Sequence, residues 1–208
     1  MIKIKKFKFV IFDLDGVIFD SKKNMQKSWQ DVCKKHKINV KFDRYFEKIG
    51  VPFDKILILL GLKPDKKIFK TFQKSSLKNI HLIKPYPWVK KEFKFLKKNN
   101  IKYSILTSKD IKRSKFLLNK FNISPATIHC PEKKLRGKPY PDQIFDCLKK
   151  NNLKKKDTCF VGDTHVDYLA AKRANIGFIF AKYGYGIDHE NYTNKILKFK
   201  DLKKYLKL

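Results

Sequence analysis

The sequence predicts an α/β fold, a Rossmann-like doubly wound parallel sheet with an inserted α-helical segment. One short apolar run that stops abruptly at a polar residue lies in the first 16 residues, and beyond residue 85 such runs alternate with helix-period segments. That alternation is the mark of buried parallel strands joined by crossover helices. Between residues 21 and 84 helix instead follows helix, with no convincing strand.

The expected strands are 8–12 (KFVIF), 101–106 (IKYSIL), 158–161 (TCFV) and 177–181 (GFIFA), with a short fifth at 127–129. Helical patterns fall between them at about 88–98, 110–120, 142–151 and 167–175. Within the early block, helices are expected over 21–36, 43–49, 53–60 and 65–77, and the chain returns through the turn KPYPW at 84–88. The simplest division is an α/β core of residues 1–16 and 85–208, interrupted by a helical domain over 17–84.

Composition bounds the partners. With 208 residues, 42% of them hydrophobic, the chain can bury a substantial core. Its formal net charge of +31 would suit a polyanion, but 46 lysines against four arginines, spread over nearly every segment, argue otherwise. Arginine reads phosphate and guanine bidentately, so a dedicated nucleic-acid protein should use more of it. The lysines read instead as genome-wide codon preference, and no specific nucleic acid is expected; the charge can still help attract phosphorylated metabolites. Cys33, Cys130, Cys147 and Cys159 have no metal spacing and read as free thiols in a reducing cytosol. The N-terminal run is too broken by lysine for a signal peptide, and ILILLGL at 56–62 is too short to span a bilayer. A soluble, cytoplasmic chain with no membrane partner follows; oligomeric state leaves no signal.

In open α/β sheets ligands bind beyond the carboxyl ends of the strands. Asp13, Asp15 and Gly16 follow the first strand; Thr107 and Ser108 follow the second; Gly162, Asp163 and then Asp167 follow TCFV. Lys138 lies in RGKPYPD, ahead of a helix for which Asp142 is the expected N-cap. If the sheet is so ordered, Asp13, Asp15 and Asp163 converge and repel one another. A hard divalent cation removes that conflict, and Mg²⁺ takes carboxylate oxygens together with substrate phosphate. Thr107 and Lys138 add a hydroxyl and a cation for phosphoryl oxygens. Lysine at 46 positions makes Lys138 uninformative by itself, whereas only 15 aspartates make the acidic trio informative.

The ordered motifs DLDGVIFDS, ILTS, GKPYPD and VGDTHVD resemble those of the haloacid dehalogenase superfamily. The similarity is to its phosphatase branch with a helical cap inserted after the first strand, phosphoglycolate phosphatase-like or β-phosphoglucomutase-like. IGVPFDKILILLG and the late YGYG are similar to this branch too, so the resemblance spans essentially the whole chain. It implies a Mg²⁺-dependent phosphomonoester hydrolase for a small metabolite, phosphoglycolate-like or sugar-phosphate-like, working through an aspartyl-phosphate. Asp13 would be the nucleophile and Asp15 the general acid and then base. Thr107 and Lys138 would bind the phosphoryl group, with Ser108 as an added contact. Mg²⁺ would be held by Asp13, the Asp15 carbonyl and Asp163, with Asp167 in support.

Dehalogenase and phosphonatase chemistry is disfavoured by the presence of Asp15. A sugar phosphomutase keeps Asp15, yet its two adjacent acids are missing from VGDTHVD; a basic nucleic-acid-binding protein retaining the fold is the other alternative. Val17 stands where many relatives carry threonine, which leaves the substrate class open. His165 reads as a solvated helix residue, Arg44 and Lys48 as a solvated cap face. His36, His81, His129 and His189 show no ligand spacing. Cap hinges are expected near 17–21 and 82–87.

Overall fold

The computed structural model describes residues 5–188 and 192–207, so His189 lies outside the described residues. In chain order the elements are β1 (Phe9–Phe12), β2 (Phe19–Asp20), α1 (Lys22–His36), α2 (Phe42–Phe46), α3 (Phe53–Leu59), α4 (Lys66–Lys78), β3 (Lys84–Pro85) and α5 (Val89–Lys98). There follow β4 (Tyr103–Leu106), α6 (Ile111–Lys120), β5 (Ile128–His129), α7 (Asp142–Lys150), β6 (Thr158–Gly162), α8 (His165–Ala174), β7 (Gly177–Ala181) and β8 (Lys195–Ile196). Six strands form one parallel sheet in the order β5-β4-β1-β6-β7-β8.

Strand β1 is buried along its whole length because it is covered on both faces. Its side chains alternate: Val10 and Phe12 join Phe93 and Leu96 of α5 and Leu117 and Leu118 of α6. Phe9 and Ile11 join Ile144, Cys147 and Leu148 of α7 and the Ala170, Ala171, Ala174 face of α8. The chain leaves β1 toward β4 and β5, then returns to the other side of β1 for β6. The direction of winding therefore reverses at β1, where a crevice opens at the carboxyl ends of β1, β4 and β6.

Helices α1 to α4 have a core of their own, including Trp29, Val32, Tyr45, Ile56, Leu57 and Phe72. Trp29 stacks on Tyr45 with ring centroids 4.6 Å apart. Asn24 ties α1 to α4 by donating to the carbonyls of Ser76 and Asn79, each at 2.9 Å.

Three expectations are corrected. The segment expected over 17–84 is not helical at its two ends: β2 and β3, flanking the helical stretch, pair antiparallel, Phe19 with Pro85 and Asp20 with Lys84, making a two-residue ribbon at its base. Runs this short carry no periodicity to detect. The sixth strand β8, equally short, was also not anticipated. Asp142 is not an N-cap; Pro141 occupies that position, and Asp142 starts α7 with its carboxylate taken by Arg136 at 2.9 Å through both Nε and Nη2. The turn in KPYPW is present beyond its first two residues, with Trp88 at φ +74° before α5.

Candidate active site

The crevice gathers the carboxylates of Asp13 and Asp163 as expected, but with Asp167 in the place expected of Asp15. One carboxylate oxygen from each of Asp13, Asp163 and Asp167 lies within 4.8 Å of the other two, and all three residues are buried. Asp13 follows β1, and its Oδ1 accepts from the Leu14 amide at 2.6 Å. Asp163 follows β6, and its Oδ2 accepts from the Tyr185 amide at 2.7 Å. Asp167 is fixed by the start of α8, where it and Thr164 form a capping box; its Oδ2 accepts from the Thr164 hydroxyl at 2.7 Å. Glycine at 16 is required sterically: at φ +85° a Cβ would stand 2.0 Å from Asp163 Oδ2.

Lys138 closes the group. Its Nζ donates to Asp13 Oδ2 at 2.8 Å and to Asp167 Oδ1 at 2.5 Å, with the residue only 2% exposed. Burial opposes its charge, but Asp13 and Asp167 outweigh burial and raise its pKa. Burial also pushes Asp13 up to about 7, since one shared cation only partly offsets desolvation and the neighbouring Asp167. Asp163 is raised well above its ordinary value, first by burial and then by Asp167 and Asp13. Its Oδ1 is buried with no hydrogen-bond partner among the described residues. An orphaned carboxylate oxygen, an all-oxygen donor set and one lysine among three acids are what a hard divalent cation would fit.

Asp15 lies apart from that trio through its side chain: Oδ1 accepts from the Ser21 hydroxyl at 2.5 Å, and Oδ2 is 3.0 Å from Lys109 Nζ. Thr107 is 1% exposed, its hydroxyl accepting from the Lys109 amide at 3.2 Å. The Ser108 hydroxyl donates to the Gly50 carbonyl at 2.7 Å, so it is committed to the helical segment. Asp13, Asp15, Thr107, Ser108, Lys109 and Arg113 share a cavity of about 60 Å³ with apolar residues of the 17–84 segment. His165 sits exposed at the first position of α8, its Nδ1 3.4 Å from the Tyr192 hydroxyl. Arg44 is exposed and Lys48 lies 3.7 Å from Glu47.

Lys109, Thr164 and Arg113 escaped the sequence reading. Lys109 directly follows Thr107 and Ser108, but abundant lysine hid it; Thr164 was legible as the start of a T-x-x-D capping signal.

Residues 10–181 match the family model described as haloacid dehalogenase-like hydrolase. The chain belongs to the haloacid dehalogenase-like hydrolase family. Among its relatives in this hydrolase family, the pyrophosphatase PpaX of Oceanobacillus iheyensis is 22% identical over 170 residues, 80% of this chain and 79% of that one. The phosphoglycolate phosphatase of Aquifex aeolicus is 27% identical over 181 residues, 85% of each chain. A crystal structure from Lactobacillus plantarum superposes with a TM-score of 0.87 at 18% identity, over 97% of this chain and 100% of that one, a likeness of fold.

Proposed function

We propose that this hydrolase is a Mg²⁺-dependent phosphomonoesterase that acts on a small phosphorylated metabolite through an aspartyl-phosphate at Asp13. The observation that carries the proposal is the buried convergence of Asp13, Asp163, Asp167 and Lys138 on one crevice, with Asp15 beside it. Phosphoglycolate and pyrophosphate, named for two relatives, are the first substrates to try.

The hydrogen bond from the Leu14 amide fixes the Asp13 carboxylate. Asp13 attacks phosphorus as the bond to the leaving oxygen breaks, and Asp15 donates a proton to that oxygen. Asp15 then takes a proton from water, whose oxygen displaces Asp13 and releases inorganic phosphate. Thr107 and Lys138 hold the phosphoryl oxygens through both steps. The carboxylates of Asp13 and Asp163 and the backbone carbonyl of Asp15 would hold Mg²⁺, with Asp167 fixing Lys138 and the α8 start behind them. Once bound, the cation supplies positive charge against the phosphoryl oxygens.

Residues 17–84 act as the cap over a core of residues 1–16 and 85–208. The separate core of α1 to α4 and the β2–β3 ribbon at its base support that division. Ser108 serves cap docking in this arrangement, in place of the phosphate contact first expected of it. No helix among the described residues is long and apolar enough to cross a membrane, and all four cysteines are free, which suits a cytoplasmic enzyme. A phosphate-release screen over phosphorylated metabolites, with and without Mg²⁺ and with Asp13→Asn as the blank, tests the proposal. Turnover surviving in Asp13→Asn would refute the nucleophile.

A further inference from the structure

Arg113 brings to the cavity a charge that the proposed hydrolysis does not use. It lies on α6, is only 5% exposed, and lines the same cavity as Asp13, Asp15 and Thr107. Its Nε donates to Asp110 Oδ2 at 2.5 Å, and its guanidinium carbon stands 5.3 Å from the centroid of the Phe72 ring on α4. Those contacts would suffice for a residue that merely props the cap. They leave both Nη groups over, and among the described residues neither has a hydrogen-bond partner. The fully buried side-chain atoms without a partner do not include either Nη, so both donors stay open to a ligand. Lys109, also buried, adds a second cation to the same wall, 3.0 Å from Asp15.

The opposite wall is apolar apart from the hydroxyl of Tyr45. Met25, Ile49, Val51, Phe53 and Ile56 present no hydrogen-bonding side chain to a polyhydroxylated leaving group, and about 60 Å³ admits only a compact one. Resting on the phosphatase reading above, we infer that Arg113 is a specificity residue that binds a second negative group on the leaving side of the substrate. That group is a carboxylate or a further phosphoryl, close to the scissile ester oxygen. The planar fork of arginine can take either bidentately with its two Nη groups.

The test compares 2-phosphoglycolate with 2-hydroxyethyl phosphate, a leaving group of similar size without the charge, in Mg²⁺ buffer. The wild type should favour the charged ester at least tenfold in kcat/KM. Arg113→Gln should lose that preference at least tenfold, mainly through KM for the charged ester, and Arg113→Lys should restore part of it. Asp110→Asn removes the ion pair while keeping the cation, so it should retain the preference; loss there equal to that in Arg113→Gln would assign Arg113 a structural role and overturn the inference. Equal rates on both esters in the wild type would overturn it as well. If not even p-nitrophenyl phosphate is hydrolysed, the phosphatase reading fails, and calorimetry still decides the anion site. Phosphonoacetate should bind at least tenfold tighter than ethylphosphonate, and equal binding would refute a second anion site.

Discussion

Replacing Asp13 by asparagine should stabilise the metal-free protein near neutral pH even as it abolishes turnover. Burial holds the Asp13 carboxyl at about 7 in the folded state, against 3.8 when solvated. The folded state therefore keeps a proton that the unfolded chain releases. Stability is full below pH 3.8 and is lost as pH rises toward 7. At 1.36 kcal/mol per pKa unit the loss is of the order of a few kcal/mol by pH 7.5 and smaller at pH 5. Asparagine cannot ionise, so Asp13→Asn should recover those amounts, while Lys138 keeps Asp167 as a partner. Asp163, raised by the same burial, should leave the variant some residual slope. Urea denaturation of both proteins in EDTA at pH 5, 6, 7 and 8 measures the effect. Adding Mg²⁺ should raise the wild type far more than the variant, because only the wild type presents the full carboxylate set. A wild-type stability flat from pH 5 to 8, or an asparagine variant less stable at pH 7.5, would refute the reasoning.

Other expectations are simpler. Asp163→Asn should raise the Mg²⁺ concentration for half-maximal activity by roughly 10–100-fold, read from a metal titration of the rate. Thr107→Val should lower kcat by about 100-fold, the scale for losing one donor to developing charge. Ser108→Ala should cost only one hydrogen bond to the cap, about 1 kcal/mol, seen as a several-fold higher KM and faster proteolysis of the 17–84 segment. Lys37 ends α1 in the left-handed region at φ 54° and is exposed, so Lys37→Gly should add about 1 kcal/mol in a urea melt.

Legibility tracked how much local chemistry each feature expressed in the chain. β1 could be read because it is covered on both faces, so its four residues are all apolar and stop at Asp13. Asp13 and Asp163 could be read because aspartate is scarce and each directly follows a strand, but the third carboxylate of the observed trio is Asp167, with the Asp15 side chain turned to Ser21 and Lys109 instead. β2, β3 and β8 could not be read: β5 is as short but falls where strand and helix alternate, whereas the pairing of the other three is decided by what the rest of the fold brings near. Asp142 was misread because Pro-Asp before a helix fits a cap, whereas the nearby Arg136 took its carboxylate. Lysine was the least legible residue of all. Among the described residues only Lys109 and Lys138 are buried, and each meets an acid of the proposed site. Composition concealed what burial separates cleanly.

That pairing also ties the proposed cap to the proposed chemistry. Burying a lysine is tolerable only where an acid faces it, so Lys109 fixes Asp15 Oδ2 from the core side. Asp15 Oδ1 is held by Ser21, the N-cap of α1. The Ser21 amide in turn donates to the Tyr185 hydroxyl at 2.5 Å, while the Tyr185 amide holds Asp163. The Tyr185 ring meets Phe46 of α2 edge-on, centroids 5.1 Å apart. A swing of the cap that moved α1 would thus disturb one oxygen of Asp15 and one of Asp163: Ser21 would leave Asp15 Oδ1, and Tyr185 would shift against Asp163 Oδ2. Opening would take the site apart, and proton transfer would be confined to the closed state, where bulk water is excluded. Tyr185→Phe, which keeps the amide and the ring but removes the hydroxyl, should therefore lower kcat several-fold with little change in Mg²⁺ affinity. Equal losses in both would mean that the tyrosine serves only the metal ligand.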